Sequence, residues 1–123
     1  MENDNAKFKN EFKSRLYRWV LKLIKYLDSI PKGQTSSVIS KQLIRSGTSV
    51  VANYIEAQSA SSKKDFINFF THSLKSANES KFWLALLRDT RKGKEKDNSI
   101  LLNELIEISN ILGSSILKMK GKK

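Results

Sequence analysis

The chain has no cysteine, one histidine, one proline and five glycines in 123 residues. Without cysteine there can be no disulfide, thiolate metal site or cysteine nucleophile, and a reducing cytoplasm is the expected setting. Scarce proline and glycine mean few turns and long elements. Long apolar runs are missing as well. The longest, Phe82 to Leu87, is far too short to cross a bilayer, and the polar first fifteen residues do not resemble a signal peptide. No membrane partner is expected. Acidic residues are few: 12 Asp and Glu stand against 23 Lys and Arg, a formal charge of +11. A field of that sign attracts polyanions, nucleic acid first among them.

What is present is helical periodicity, and it predicts an all-α, antiparallel up-down-up-down four-helix bundle in one domain spanning 1–123. The predicted helices cover about 8–30, 36–59, 63–91 and 99–119. In the first, apolar residues from Phe8 to Ile30 fill an arc of roughly 220°, wider than the ~100° stripe one core contact requires. Two separate contacts are therefore expected of it. The strip left over carries Arg15, Arg18, Lys22 and Lys25. Ile30-Pro31-Lys32-Gly33 stops this helix, and Thr35, Ser36 or Ser37 can cap the next.

The second predicted helix has Leu43, Gly47, Val50, Val51, Tyr54 and Ala57 on its apolar face, with Gln42, Arg45, Ser49, Asn53 and Glu56 opposite. Gly47 costs about 1 kcal/mol relative to alanine in a helix, so it and the surrounding serines imply that another helix backbone passes close by. The polar face meets either solvent, a neighbouring subunit or a central channel. The third predicted helix ends in Phe82-Trp83-Leu84-Ala85-Leu86-Leu87, apolar on every side, which implies burial on every side and hence an oligomer. Residues 92–99 read as a polar loop, and Lys118–Lys123 as a frayed basic tail.

This topology gathers Lys25, Lys32, Lys41, Arg88, Arg91, Lys92, Lys94 and Lys96 at one end. Lys7, Lys9, Lys13, Lys63, Lys64 and the C-terminal lysines gather at the other. The candidate nucleic-acid-binding residues are Arg15, Arg18, Lys22, Lys25, Arg88, Arg91, Lys92 and Lys94. Zinc-finger, RNP and helix-turn-helix patterns are absent, so phosphate contact with little base readout is the expected mode.

No catalytic constellation is visible, and neither enzyme activity, a cofactor nor a metal is expected. His72 lies on a polar face without a second ligand or base. Glu56 and Glu79 could meet as a carboxylate pair, but the Glu-x-x-His motifs of di-iron bundles are missing. No phosphate-cradling G-x-x-x-x-G-K-[ST] loop occurs.

The segment Arg45-Ser46-Gly47-Thr48-Ser49-Val50-Val51-Ala52-Asn53-Tyr54-Ile55-Glu56-Ala57 resembles the signature of a family of small bacterial four-helix-bundle proteins. That family was first noticed as reading frames in intervening sequences of large-subunit ribosomal RNA genes. Asp65-Phe66, the stretch Leu74 to Ser80 with its Ser/Ala-x-x-Glu core, Leu84 to Thr90 and the fourth helix continue the resemblance over nearly the whole chain. It implies a four-helix bundle assembled as a homopentamer. It also implies kinship with the accessory variability protein of diversity-generating retroelements, which binds nucleic acid and partners a reverse transcriptase. Arg45, Ser46, Gly47, Asn53, Glu56 and Glu79 are the signature positions. The functional expectation is thus a non-enzymatic, basic, oligomeric protein binding RNA or DNA, with a bundle that docks an acidic protein as the alternative.

Overall fold

A computed structural model describes residues 3–121; Lys122 and Lys123 of the basic tail lie outside the described residues. Four helices follow in order: α1 Asp4–Asp28, α2 Gln34–Ala57, α3 Lys63–Asp89 and α4 Glu95–Met119. Each packs on its neighbours around a ring, α1 on α2 and α4, α3 on α2 and α4, while the diagonal pairs do not approach backbone to backbone. The four-helix bundle expected from the periodicity is present, and the described residues include no strand.

The core is built from the apolar stripes. Leu16, Trp19, Leu23, Leu43, Val50, Leu84, Leu87, Leu105, Ile108 and Leu112 are fully buried. The Trp19 indole donates to the Leu101 carbonyl at 3.0 Å, which satisfies its one polar atom inside the core. At one end of the bundle Phe12, Tyr54, Phe70 and Phe66 form a chain of edge and stacked rings.

One expectation about packing is corrected. Gly47 does not admit a helix backbone. A β-carbon there would sit 2.5 Å from Leu23 Cδ2 and 3.2 Å from Trp19 Cζ3, so the glycine makes room for side chains of α1. The close backbone approach belongs to α2 and α3, and it runs through serines. Ser46 and Ser80 hydroxyls meet at 2.7 Å, Ser73 donates to the Val50 carbonyl at 2.7 Å, and Ser76 donates to Ser49 at 2.9 Å. A larger side chain at any buried point of this seam would push the two helices apart.

Within the single chain the apolar run 82–87 keeps an outer face. Leu84 and Leu87 are buried, Trp83, Ala85 and Leu86 are half-buried, and Phe82 is exposed. On α1, Tyr17, Leu21 and Ile24 stay exposed as the second side of its wide apolar arc.

The helix ends differ from the sequence reading in instructive ways. α1 begins at Asp4 because the Asn3 side chain accepts from the Ala6 amide at 2.8 Å. Gly33, rather than Thr35, Ser36 or Ser37, precedes α2, and no side chain caps it. Ser36 instead lies buried in the first turn, its hydroxyl donating to the Pro31 and Gly33 carbonyls. α4 begins four residues before Ser99, so half of the expected 92–99 loop is helix. Glu95 and Asp97 in that first turn oppose the positive end of the helix dipole. At its other end α4 stops at Met119, where the sequence reading placed it.

α4 is long and apolar enough, by length and composition alone, to cross a membrane. In the bundle its apolar side is core, and Glu104 on its other side is paired with two cations of α1.

Candidate nucleic-acid interface

The end of the bundle where α1 stops and α3 turns into α4 is the most chemically organised part of the surface. α3 closes with a Schellman motif: the Lys92 amide donates to the Leu87 carbonyl at 2.8 Å and the Arg91 amide to the Arg88 carbonyl at 3.0 Å. The motif places its left-handed residue at Arg91, with φ 57°, where glycine is the usual occupant. Gly93 follows with φ 79°, and a β-carbon there would come within 2.9 Å of both Tyr26 and Ile30. The turn therefore lies directly on the end of α1.

A buried polar network pins it there. Tyr26 donates its hydroxyl to the Lys92 carbonyl at 2.9 Å. Asn98 donates from Nδ2 to the Tyr26 hydroxyl and to the Leu84 carbonyl, both at 2.9 Å. Burial pushes the Tyr26 phenol up from its ordinary pKa; the Asn98 bond opposes this and nearby Asp97 adds to it. The phenol thus stays a donor, and the 91–94 turn is held by three helices at once.

Cations surround this pinned turn in two hollows. One, about 450 Å³ between α1 and α4, is lined by Lys22, Lys25, Tyr26 and Lys94 among others, with Asp97 as its acidic member. The second, about 390 Å³, is lined by Arg88, Arg91, Lys92, Gly93, Glu95 and Asn98.

The eight sequence-derived cations do not act as one set. Arg15 bridges from α1 to α4, its Nε 3.2 Å from Glu104 and its Nη2 3.0 Å from Glu107. Burial alone would lower its pKa, and its bonds to Glu107 and Glu104 more than reverse that. Lys22 pairs with Glu104 at 3.3 Å, and Arg88 with its neighbour Asp89 at 2.9 Å. The Arg88 bond holds the Asp89 carboxyl below the usual carboxylate range. Arg18 lies on a different hollow, between α1 and α2. Lys25, Arg91, Lys92 and Lys94 remain as the cations that face the pinned end without an ion pair among the described residues. Tyr26, Gly93 and Asn98, which position them, were not singled out in the sequence. The signal available was a glycine set among lysines directly after a helix, the pattern of a left-handed stop.

The signature residues assemble elsewhere, along α2 and α3. Arg45 pairs with Glu79, and Gln42 accepts from Arg45 Nε at 3.1 Å. Trp83 donates from its indole nitrogen to Glu79 at 2.9 Å. Asn53 donates to Ser49, which meets Ser76 of α3. The polar side of α2 thus runs partly along α3 of the same chain, through Ser49 and the Arg45–Glu79 pair, while Arg45 and Glu56 remain exposed. Glu56 and Glu79 do not meet. The register set by Ser46 with Ser80 and Ser49 with Ser76 puts Glu56 level with about residue 69, roughly 15 Å along the axis from Glu79 at 1.5 Å per residue. Lys81 is half-buried and His72 exposed, and no group of three or more possible metal ligands occurs among the described residues.

These features define an all-helical bundle with one pinned, cation-rich end and a serine-lined helix seam. The family model of the 23S rRNA-intervening sequence proteins matches residues 9–114. The chain belongs to that family. It is similar to a solved protein of unknown function from the S23 ribosomal protein family of Bacteroides thetaiotaomicron VPI-5482. The two share 35% identity with a TM-score of 0.79, over 85% of this chain and 97% of that one. No curated protein matches it at a significant level.

Proposed function

We propose that this chain is a non-enzymatic nucleic-acid-binding protein that works as a homo-oligomer in the cytoplasm. The carrying observation is the pinned 91–94 turn, which holds Arg91, Lys92 and Lys94 beside Lys25 in a fixed arrangement on a chain of formal charge +11. A backbone already fixed need not be ordered when its cations meet phosphates, and counterion release supplies the affinity. The family's link to intervening sequences of 23S rRNA supports RNA as the polymer. The kinship that the resemblance implies with the retroelement accessory protein makes a reverse transcriptase a candidate partner.

Exposed Tyr17, Leu21 and Ile24 on α1 and Phe82 on α3 support self-association, and the family resemblance makes a pentamer the assembly to test. Five copies carry a formal charge on the order of +55, a strong attractant for a polyanion. Light scattering at micromolar concentration is expected to give a mass well above 14.1 kDa; a clean monomer overturns the assembly.

Titration of labelled RNA and DNA at several salt concentrations tests the binding. Log affinity is expected to fall linearly with log salt. Replacing Lys92 and Lys94 with alanine should flatten the slope by about 0.7 for each single-strand phosphate that the variant no longer neutralises. No binding at low salt sinks the reading.

A second reading has its own observation. The hollow of about 480 Å³ between α1 and α2 has an apolar floor of Tyr17, Val51 and Ile55 and a rim with Lys13 and Arg18. That combination suits an acidic amphipathic segment of a partner protein. A protein partner recovered after nuclease treatment, and absent with Tyr17→Asp, supports it; recovery of nucleic acid alone counts against it.

A further inference from the structure

We propose that the hollow lined by Arg88, Arg91, Lys92, Gly93, Glu95 and Asn98 is a ribonucleotide subsite, in which Asn98 Oδ1 accepts from a ribose 2′-hydroxyl. This rests on the nucleic-acid reading above and specifies its ligand.

Asn98 is 1% exposed, and its Oδ1 is the one buried side-chain polar atom among the described residues that finds no partner. Its amide cannot be turned round to cure this. Nδ2 donates to the Leu84 carbonyl, and exchanging the two atoms would set oxygen against oxygen. Nδ2 also donates to Tyr26, whose own hydrogen goes to the Lys92 carbonyl. Both amide hydrogens are therefore used, and the oxygen needs a donor from outside the network.

The rest of the wall says what kind of molecule brings that donor. Arg91 and Lys92 call for negative charge, while Arg88 is already tied to Asp89. Glu95 is a second acceptor in the same wall and works against an anion lodging at its side. A phosphate alone answers the cations and leaves Asn98 Oδ1 unmet, because phosphate oxygens at neutral pH chiefly accept. A ribonucleotide carries both functions a few bonds apart. Base amino groups are donors too, but DNA has them equally; the 2′-hydroxyl is the donor that RNA adds.

The test compares three single strands of one sequence on the wild-type protein at fixed salt: RNA, DNA and fully 2′-O-methylated RNA. The methylated strand keeps the ribose-like sugar geometry and lacks the donor. RNA is expected to bind about three- to ten-fold more tightly than either of the others, the range one net hydrogen bond supplies. Asn98→Ala, checked for helicity and melting, should bring all three strands together. Equal affinity for RNA and DNA overturns the subsite, and means that a bound water satisfies Asn98. Equal affinity for RNA and methylated RNA also overturns it, since shape is then what is read. Failure of every strand to bind overturns instead the nucleic-acid reading on which the subsite rests.

Discussion

The seam between α2 and α3 and the seam between α1 and α4 hold the same bundle together by opposite means. The first is narrow, lined by Ser46, Ser73, Ser80 and Ala77, all buried, with hydroxyls bonded across or back to the helix. The second is wide, spanned by the long side chains of Arg15 and Lys22 reaching Glu104 and Glu107. Small residues let two backbones approach, and every atom there is then constrained by its neighbours. Long charged pairs span a gap without filling it, and the pairs with an exposed partner, Arg15–Glu107 and Lys22–Glu104, contribute little. The difference separates where the bundle is stabilised from where it is open to a ligand, because the cationic hollow of Lys22, Lys25 and Lys94 lies along the wide seam.

Substitutions on the two seams should therefore differ in size. Ser80→Leu is expected to cost most, about 3 kcal/mol, since it overpacks the narrow seam and breaks the bond to Ser46. A denaturant midpoint close to wild type would mean that α2 and α3 can part freely, and the contrast would fail.

Tyr26→Phe comes next, at about 1–2 kcal/mol, because the Lys92 carbonyl and Asn98 Nδ2 are each deprived of a partner. It also sharpens the pH behaviour. Burial raises the pKa of both Tyr26 and Tyr54 in the fold. The unfolded chain then loses phenolic protons first, so stability is complete below about pH 10 and falls as pH rises past it. The variant should lose part of that alkaline decline, measurable by urea melts on either side of the transition; an undiminished decline assigns it to Tyr54 and other groups.

Glu104→Gln should have the smallest effect, less than about 1 kcal/mol, although it weakens two cross-helix pairs at once. Its cost should shrink further in high salt. A destabilisation as large as that of Ser80→Leu would erase the distinction between the seams.

Legibility in the sequence followed the same division. Apolar periodicity alone located the four helices, and Leu43, Val50 and Tyr54 fell on the buried face of α2 as expected. Small residues were correctly read as a sign of close approach, but Gly47 and the serines answer to different neighbours, which one helix's pattern cannot distinguish. The start of α4 was hidden because Glu95-Lys96-Asp97-Asn98 has the composition of a loop. What makes it helical is the position of its acids at the helix's positive end and the burial of Asn98 against α1 and α3, a tertiary fact. The charge pattern identified the cationic end. It could not show that Arg15 and Lys22 are already engaged, because their partners lie 82 to 92 residues away in the chain.

Those separations carry a consequence for how the chain assembles. The serine contacts of α2 and α3 join residues 23 to 34 apart, whereas the bonds between α1 and α4 join residues 72 to 92 apart. Closing the shorter loop costs less entropy, so the α2–α3 hairpin is the natural folding nucleus and α1 docks against α4 late. The same order runs backwards under thermal fluctuation. The helix that opens first is the one carrying Tyr26, and with it the clamp on the basic turn is released before the serine seam gives way.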